Sequence, residues 1–284
     1  MAISIPYKEL LGGIRMPMVG LGVYNISVRD TERVVEDALA EGYRSIDTAA
    51  MYDNERGVGA AVRQSGVARE ELFVTTKICE PCFTKRETLR TVEHSMKDLG
   101  LDYVDLMLLH WPVGRPQVMW QTLEELYHEG LFRAIGVSNF YPNTFPLIVD
   151  NAEVMPAVNQ CEVNVLYQQR AMMEYLKPYH VAFEAWSPLA EGRHVIATNP
   201  LLTRIGECHG KTAAQVALRF LVQNGIIVIP KTTHRDRMRE NINLFDFELT
   251  DAEMKEIRQM DTGHRATSWP SDALAYDPSD YMGE

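Results

Sequence analysis

The chain has 284 residues, 46% hydrophobic and 24% charged, which is the make-up of a folded globular protein and excludes a disordered or collagen-like one. Twenty-eight Lys and Arg against 39 Asp and Glu give a formal charge of −11, so neither nucleic acid nor an anionic membrane is expected as a partner. No apolar run approaches the roughly 18 residues of a membrane span, Lys8 and Glu9 interrupt any secretion signal, and four cysteines make no disulfide framework, so a reduced, cytoplasmic protein is expected.

Residues 6–19 read as two short apolar segments around Gly12-Gly13, a hairpin signal that makes 1–18 an N-terminal cap. Apolar runs then recur at 19–22, 44–48, 72–77, 103–110, 134–138, 156–162, 181–186 and 226–230. Most are apolar throughout, as parallel strands buried on both faces are. Between them lie amphipathic helices. Val34, Val35, Ala38 and Leu39 form one stripe, closed by Gly42. Leu89, Val92, Met96 and Leu99 form another behind the capping box Thr84-x-x-Glu87, and a further helix signal covers 119–129. Thr250-x-x-Glu253 opens a late helix carrying Met254, Ile257 and Met260. The gap from Trp186 to Ile226 exceeds the usual βα unit of roughly 30 residues, so it should hold an insertion or long loop.

Eight βα units without a composition break predict one α/β domain over 1–284, a (β/α)8 barrel of the TIM type with 263–284 as a tail. The other candidate is a doubly wound sheet. Its glycine fingerprint fails, because Gly20-Leu21-Gly22 is followed by Asn25 where the third glycine belongs. The tail holds Trp269, Tyr276 and Tyr281 and could close over the barrel mouth or simply trail from it.

Catalytic groups of such barrels sit at the C-terminal ends of strands. There the sequence offers Asp47, Lys77 and His110, with Tyr52 in the loop after the second strand. Singly, such residues are usually helix caps or core polar groups; it is their joint arrival at one rim that points to chemistry.

Asp47-Thr48-Ala49 with Tyr52-x-Asn54-Glu55, then Thr76-Lys77 and Leu109-His110-Trp111-Pro112, resemble the aldo-keto reductase family. Further motifs follow in order: Gly136-Val137-Ser138-Asn139-Phe140, Asn159-Gln160, Trp186-Ser187-Pro188-Leu189, and Ile229-Pro230-Lys231-Thr232 with Arg237, Glu240 and Asn241. The resemblance runs from about residue 6 to about residue 260 and implies an NADPH-dependent carbonyl reductase on a barrel with an N-terminal hairpin. It makes Asp47, Tyr52, Lys77 and His110 the catalytic set.

Hydride delivery to a carbonyl carbon leaves charge on oxygen, so a proton donor must stand beside it. A phenol of pKa about 10 suits this if a neighbouring ammonium lowers that value. Lys77 is expected to do so for Tyr52, Asp47 to hold Lys77 charged, and His110 to orient the substrate oxygen.

The resemblance further implies cofactor contacts at Gly22, Val23, Asp47, Ser138, Asn139, Gln160, Trp186, Ser187, Leu189, Lys231, Thr232, Arg237, Glu240 and Asn241. Ser138, Asn139 and Gln160 suit a carboxamide, and Lys231, Thr232 and Arg237 at a helix start suit the 2′-phosphate that distinguishes NADPH from NADH. Substrate contacts are implied at Tyr24, Tyr52, Cys79, His110 and Trp111. No metal is expected.

The sequence departs from the family pattern in three places. Trp186 stands where most relatives carry Tyr, as in members acting on keto sugar acids such as 2,5-diketo-gluconate reductases, and an indole can stack equally well. His234 replaces an Arg found in some relatives, which should loosen the phosphate grip. Cys79 replaces a pocket Trp, so a roomier pocket is expected; with Cys82 it forms a C-x-x-C, but further metal ligands nearby are lacking.

The reading is therefore a monomeric enzyme acting on a small carbonyl compound. Its rival is an NADPH-holding regulatory module of the same fold, such as an ion-channel subunit, with little turnover. The intact catalytic set speaks for the enzyme. A metal-dependent barrel hydrolase would need a clustered His/Asp ligand set at the strand ends.

Overall fold

Two glycines with positive φ, Gly12 at 79° and Gly13 at 75°, turn the chain between β1 (Tyr7–Glu9) and β2 (Arg15–Pro17), which pair antiparallel from Tyr7 opposite Pro17 to Glu9 opposite Arg15. This is the hairpin the sequence predicts. The computed structural model describes residues 5–79, 81–192 and 194–266.

The chain then alternates strand and helix: β3 (Leu21–Gly22), α1 (Val28–Ala40), β4 (Ser45–Asp47), α2 (Glu55–Gln64), β5 (Phe73–Ile78), α3 (Lys85–Leu99), β6 (Val104–Leu109) and α4 (Pro116–His128). It continues through β7 (Phe132–Ser138), α5 (Pro146–Val149), β8 (Val158–Glu162), α6 (Arg170–Leu176) and β9 (Ala182–Trp186). Helices α7 (His194–Ala197), α8 (Pro200–His209) and α9 (Ala213–Gln223) lead to β10 (Ile227–Val228), α10 (Arg235–Ile242) and α11 (Asp251–Arg258).

Strands β3 to β10 lie side by side in chain order and pair parallel. The last meets the first: Val19 bridges Val228, the Gly20 N–H donates to the Val228 carbonyl at 2.9 Å, and the Val228 N–H donates to the Met18 carbonyl at 3.1 Å. The sheet thus closes into the expected (β/α)8 barrel, and closure leaves no open edge. Every residue of β4, β5, β6 and β8 is buried, as parallel strands between a barrel interior and a helix layer must be.

The helices start where their sequences say. Thr84 and Glu87 exchange both hydrogen bonds of a capping box at α3, and Thr250 and Glu253 do the same at α11. Helix α1 buries Val34, Val35, Ala38 and Leu39. The long gap before β10 holds the expected insertion, in the form of three helices; Asn199 caps α8 with Pro200 at its first position, and Thr212 and Gln215 form a capping box on α9. Two expectations need correction. Helix α4 begins at Pro116, before 119, because proline at the first helical turn has no N–H to leave unsatisfied. Strand β10 is shorter than 226–230, since Pro230 has no N–H to give the ladder. Among the described residues no helix is long and apolar enough to cross a membrane. Trp269, Tyr276 and Tyr281 lie outside the described residues.

Candidate active site

Each catalytic candidate sits at the same end of the barrel. Asp47 is the last residue of β4, Lys77 is next to last in β5, and His110 follows β6 directly. Tyr52 ends a single 3-10 turn, Ala50–Tyr52, after which Asp53 takes a left-handed conformation at φ 56°. Buried Asn54 clamps that turn: its Oδ1 accepts the Thr48 hydroxyl at 2.7 Å, and its Nδ2 donates to the Val23 carbonyl at 3.0 Å. The Tyr-x-Asn spacing therefore ties the turn to the strands on either side.

The four groups converge. Lys77 Nζ donates to Asp47 Oδ1 at 2.5 Å and to the Thr48 carbonyl at 2.8 Å, and it lies 5.1 Å from the centre of the Tyr52 ring. The Tyr52 and His110 rings stand 5.8 Å apart, edge to face. Burial alone would lower the Lys77 pKa, but Asp47 and Tyr52 together raise it, so the ammonium keeps its charge. Burial, helped by the Lys77 charge, holds His110 well below the usual imidazole range, so it is neutral.

Tyr52 requires a correction. Lys77 does pull its pKa down, but burial of the phenol outweighs that pull, and the group is pushed up to about 12. Tyr52 is a neutral phenol at physiological pH, a form that can give a proton.

These residues open on a cleft of about 650 Å³. Its wall includes Gly22, Tyr24, Asp47, Tyr52, His110, Trp111, Asn139, Gln160, Trp186, Ser187, Leu189, Lys231, Thr232 and Arg237. Gly22 stands so close to β10 that a Cβ there would lie 2.9 Å from the Ile229 carbonyl oxygen. Lys77, Val23, Ser138 and Asn241 are buried, whereas Cys79 and Glu240 are partly exposed. Val23 is fully buried, with its N–H on the Asp47 carbonyl, and the Ser138 hydroxyl donates to the Gln160 carbonyl at 2.9 Å. The Glu240 carboxylate takes the Thr212 hydroxyl, Asn241 is buried, and the Cys79 sulfur lies 2.8 Å from His110 Nδ1.

The two amides on the floor have fixed orientations. Gln160 Nε2 donates to Asp47 Oδ2 and to Glu184 Oε2, both at 2.8 Å. Asn139 Nδ2 donates to the His110 carbonyl at 3.1 Å and to Ser138 Oγ at 3.0 Å, while its Oδ1 accepts from Trp186 Nε1 at 3.0 Å. Both amide nitrogens are fully engaged, which leaves oxygen acceptors for a ligand.

A family model, the Aldo/keto reductase family, matches residues 18–262. The chain belongs to the aldo/keto reductase family. Over 90% of its length it is 44% identical to a 9,11-endoperoxide prostaglandin H2 reductase of Trypanosoma cruzi, covering 92% of that protein. It is 42% identical to the glyoxal reductase of Bacillus subtilis, over 94% of this chain and 96% of that one. The Bombyx mori aldo-keto reductase solved in complex with NADP superposes with a TM-score of 0.90 at 33% identity, over 99% of this chain and 100% of that one.

In this aldo/keto reductase the basic residues of α10 divide by direction. Arg235 and Arg239 both bind the carboxylate of Glu41, at 2.6 Å each, whereas Arg237 lines the cleft and makes no ion pair among the described residues. Sequence reading missed Glu184, fully buried in β9 under Gln160. Its carboxyl is held above the ordinary range, first by burial and then by the Asp47 charge, so it carries a proton. The visible signal was a lone acid between Phe183 and Ala185 in an otherwise apolar strand.

Proposed function

We propose that the protein reduces an aldehyde or ketone to an alcohol with NADPH, and that Tyr52 gives the proton. The observation carrying this reading is the buried ion pair of Lys77 and Asp47 beside the Tyr52 phenol, together with Arg237, which lines the same cleft as Asp47 and Tyr52 and has no ion pair among the described residues.

The residues present fit NADPH. Oxygen acceptors on Asn139 and Gln160 match the N–H groups of a nicotinamide carboxamide, and the Trp186 indole, pinned by Asn139, offers a flat face for stacking. Lys231, Thr232 and Arg237 gather at the start of α10, where unpaired helix N–H groups favour a phosphate. Solved relatives carry NADP and NADPH. A bound NADPH supplies the hydride.

The protein supplies the rest. His110, neutral and on the wall beside Tyr52, donates to the carbonyl oxygen and turns it toward the phenol. As negative charge develops on that oxygen, Tyr52 transfers its proton. The Lys77 ammonium stabilises the tyrosinate left behind, and Asp47 keeps the ammonium in place. Tyr24, with its ring 5.0 Å from that of Tyr52, and Trp111, stacked 5.9 Å from His110, wall the substrate side. A cytoplasmic monomer is sufficient for this chemistry, since every group in it comes from one chain.

The test follows NADPH absorbance over a panel of glyoxal, methylglyoxal, aromatic aldehydes, keto sugars and steroids. Turnover of several small carbonyls supports the reading. Tight NADPH binding without turnover across the panel would favour the regulatory module instead.

A further inference from the structure

His110 lines the cleft, and its Nδ1 meets Cys79. The Cys79 Sγ lies 2.8 Å from His110 Nδ1, and the Lys77 carbonyl is 3.5 Å from the same sulfur. A thiol has one proton to donate, and the imidazole nitrogen is the nearer acceptor and the more basic one. The ring is neutral, so it carries one N–H, and what the inner nitrogen accepts decides where that hydrogen sits.

We propose that Cys79 is a positioning residue: its S–H donates to His110 Nδ1 and so keeps the ring hydrogen on Nε2, where it can point to the substrate oxygen. This inference rests on the role given to His110 under the proposed function. It assigns the first cysteine of Cys79-x-x-Cys82 a use that needs no second sulfur. Cys82 is buried with its Sγ 3.7 Å from Thr91 Oγ1, and no disulfide links the described cysteines.

The reverse arrangement would put the hydrogen on Nδ1, donate it to sulfur and leave Nε2 a bare acceptor facing a carbonyl oxygen, two acceptors in opposition. A hydroxyl can donate as the thiol does, while a methyl group cannot. Cys79→Ser should therefore preserve the tautomer, and Cys79→Ala should release it.

The experiment is nitrogen NMR of the histidine side chains in the ligand-free protein, with His110 assigned by loss of its signals in His110→Gln. The expected result is a hydrogen on Nε2 and a bare Nδ1 in wild type and in Cys79→Ser, with a mixed or reversed ring in Cys79→Ala. Kinetics should follow: Cys79→Ala loses about fivefold in kcat/KM for a small aldehyde, the equivalent of one hydrogen bond, at unchanged NADPH affinity, and Cys79→Ser recovers most of it. A hydrogen on Nδ1 in the wild type, or the same tautomer in all three proteins, overturns the inference. The reductase reading fails separately, if Tyr52→Phe turns over like wild type.

Discussion

Lys77 and Asp47 form an ion pair inside the barrel, 2.5 Å apart, with neither side chain more than 3% exposed. A pair so placed is a poor device for stability, because desolvation of two charges offsets most of their attraction. Its use is to hold a full positive charge against the Tyr52 ring in a place water does not screen.

Removing one partner should expose that arrangement. Lys77→Met leaves Asp47 charged and buried, with the Gln160 amide its one remaining side-chain partner among the described residues. Breaking such a pair costs about 3–5 kcal/mol, so the midpoint of urea unfolding should fall markedly and carbonyl reduction should vanish with it. Unchanged stability would mean that Asp47 takes up a proton instead.

Cofactor choice should depend on Arg237. One charge-assisted contact is worth about 1.5–3 kcal/mol, so Arg237→Ala should weaken NADPH binding by roughly 10- to 100-fold and leave NADH nearly untouched. Arg235→Ala is the control, since that side chain is engaged by Glu41 and by Asp37 at 3.6 Å. Equal weakening of both cofactors by Arg237→Ala would show that the residue supports α10 rather than reads a phosphate.

Glu184 should leave a mark on the pH dependence of stability. Its folded pKa is raised above the ordinary 4.5, so above that pH the native state holds a proton that the unfolded chain releases. Stability then falls with rising pH until the folded group itself titrates. Glu184→Gln cannot titrate, and its advantage over wild type should grow between about pH 5 and about pH 8. Parallel unfolding curves at the two values would place an ionised carboxylate there.

Much of this was legible in the residues. The eight apolar runs gave the strands because a strand covered on both faces tolerates little else, and Thr84-x-x-Glu87 marked its helix start because a capping box is local chemistry. The catalytic set was visible as a constellation at strand ends. Three things were not. The truncation of β10 depends on where Pro230 meets the ladder, a property of register. The direction of the Tyr52 shift is a contest between burial and the Lys77 charge, and sequence names the charge but not the depth. The separation of Arg237 from Arg235 and Arg239 needs Glu41, nearly two hundred positions away, to occupy the other two.

The most direct measurement of the central claim is turnover by Tyr52→Phe. The substitution keeps the ring against Lys77 and removes only the phenol proton, so NADPH affinity by fluorescence should match wild type. Loss of a general acid removes about 10²- to 10⁴-fold, and aldehyde reduction should fall by at least that lower bound. Wild-type turnover in Tyr52→Phe would contradict the account, because another group would then be delivering the proton.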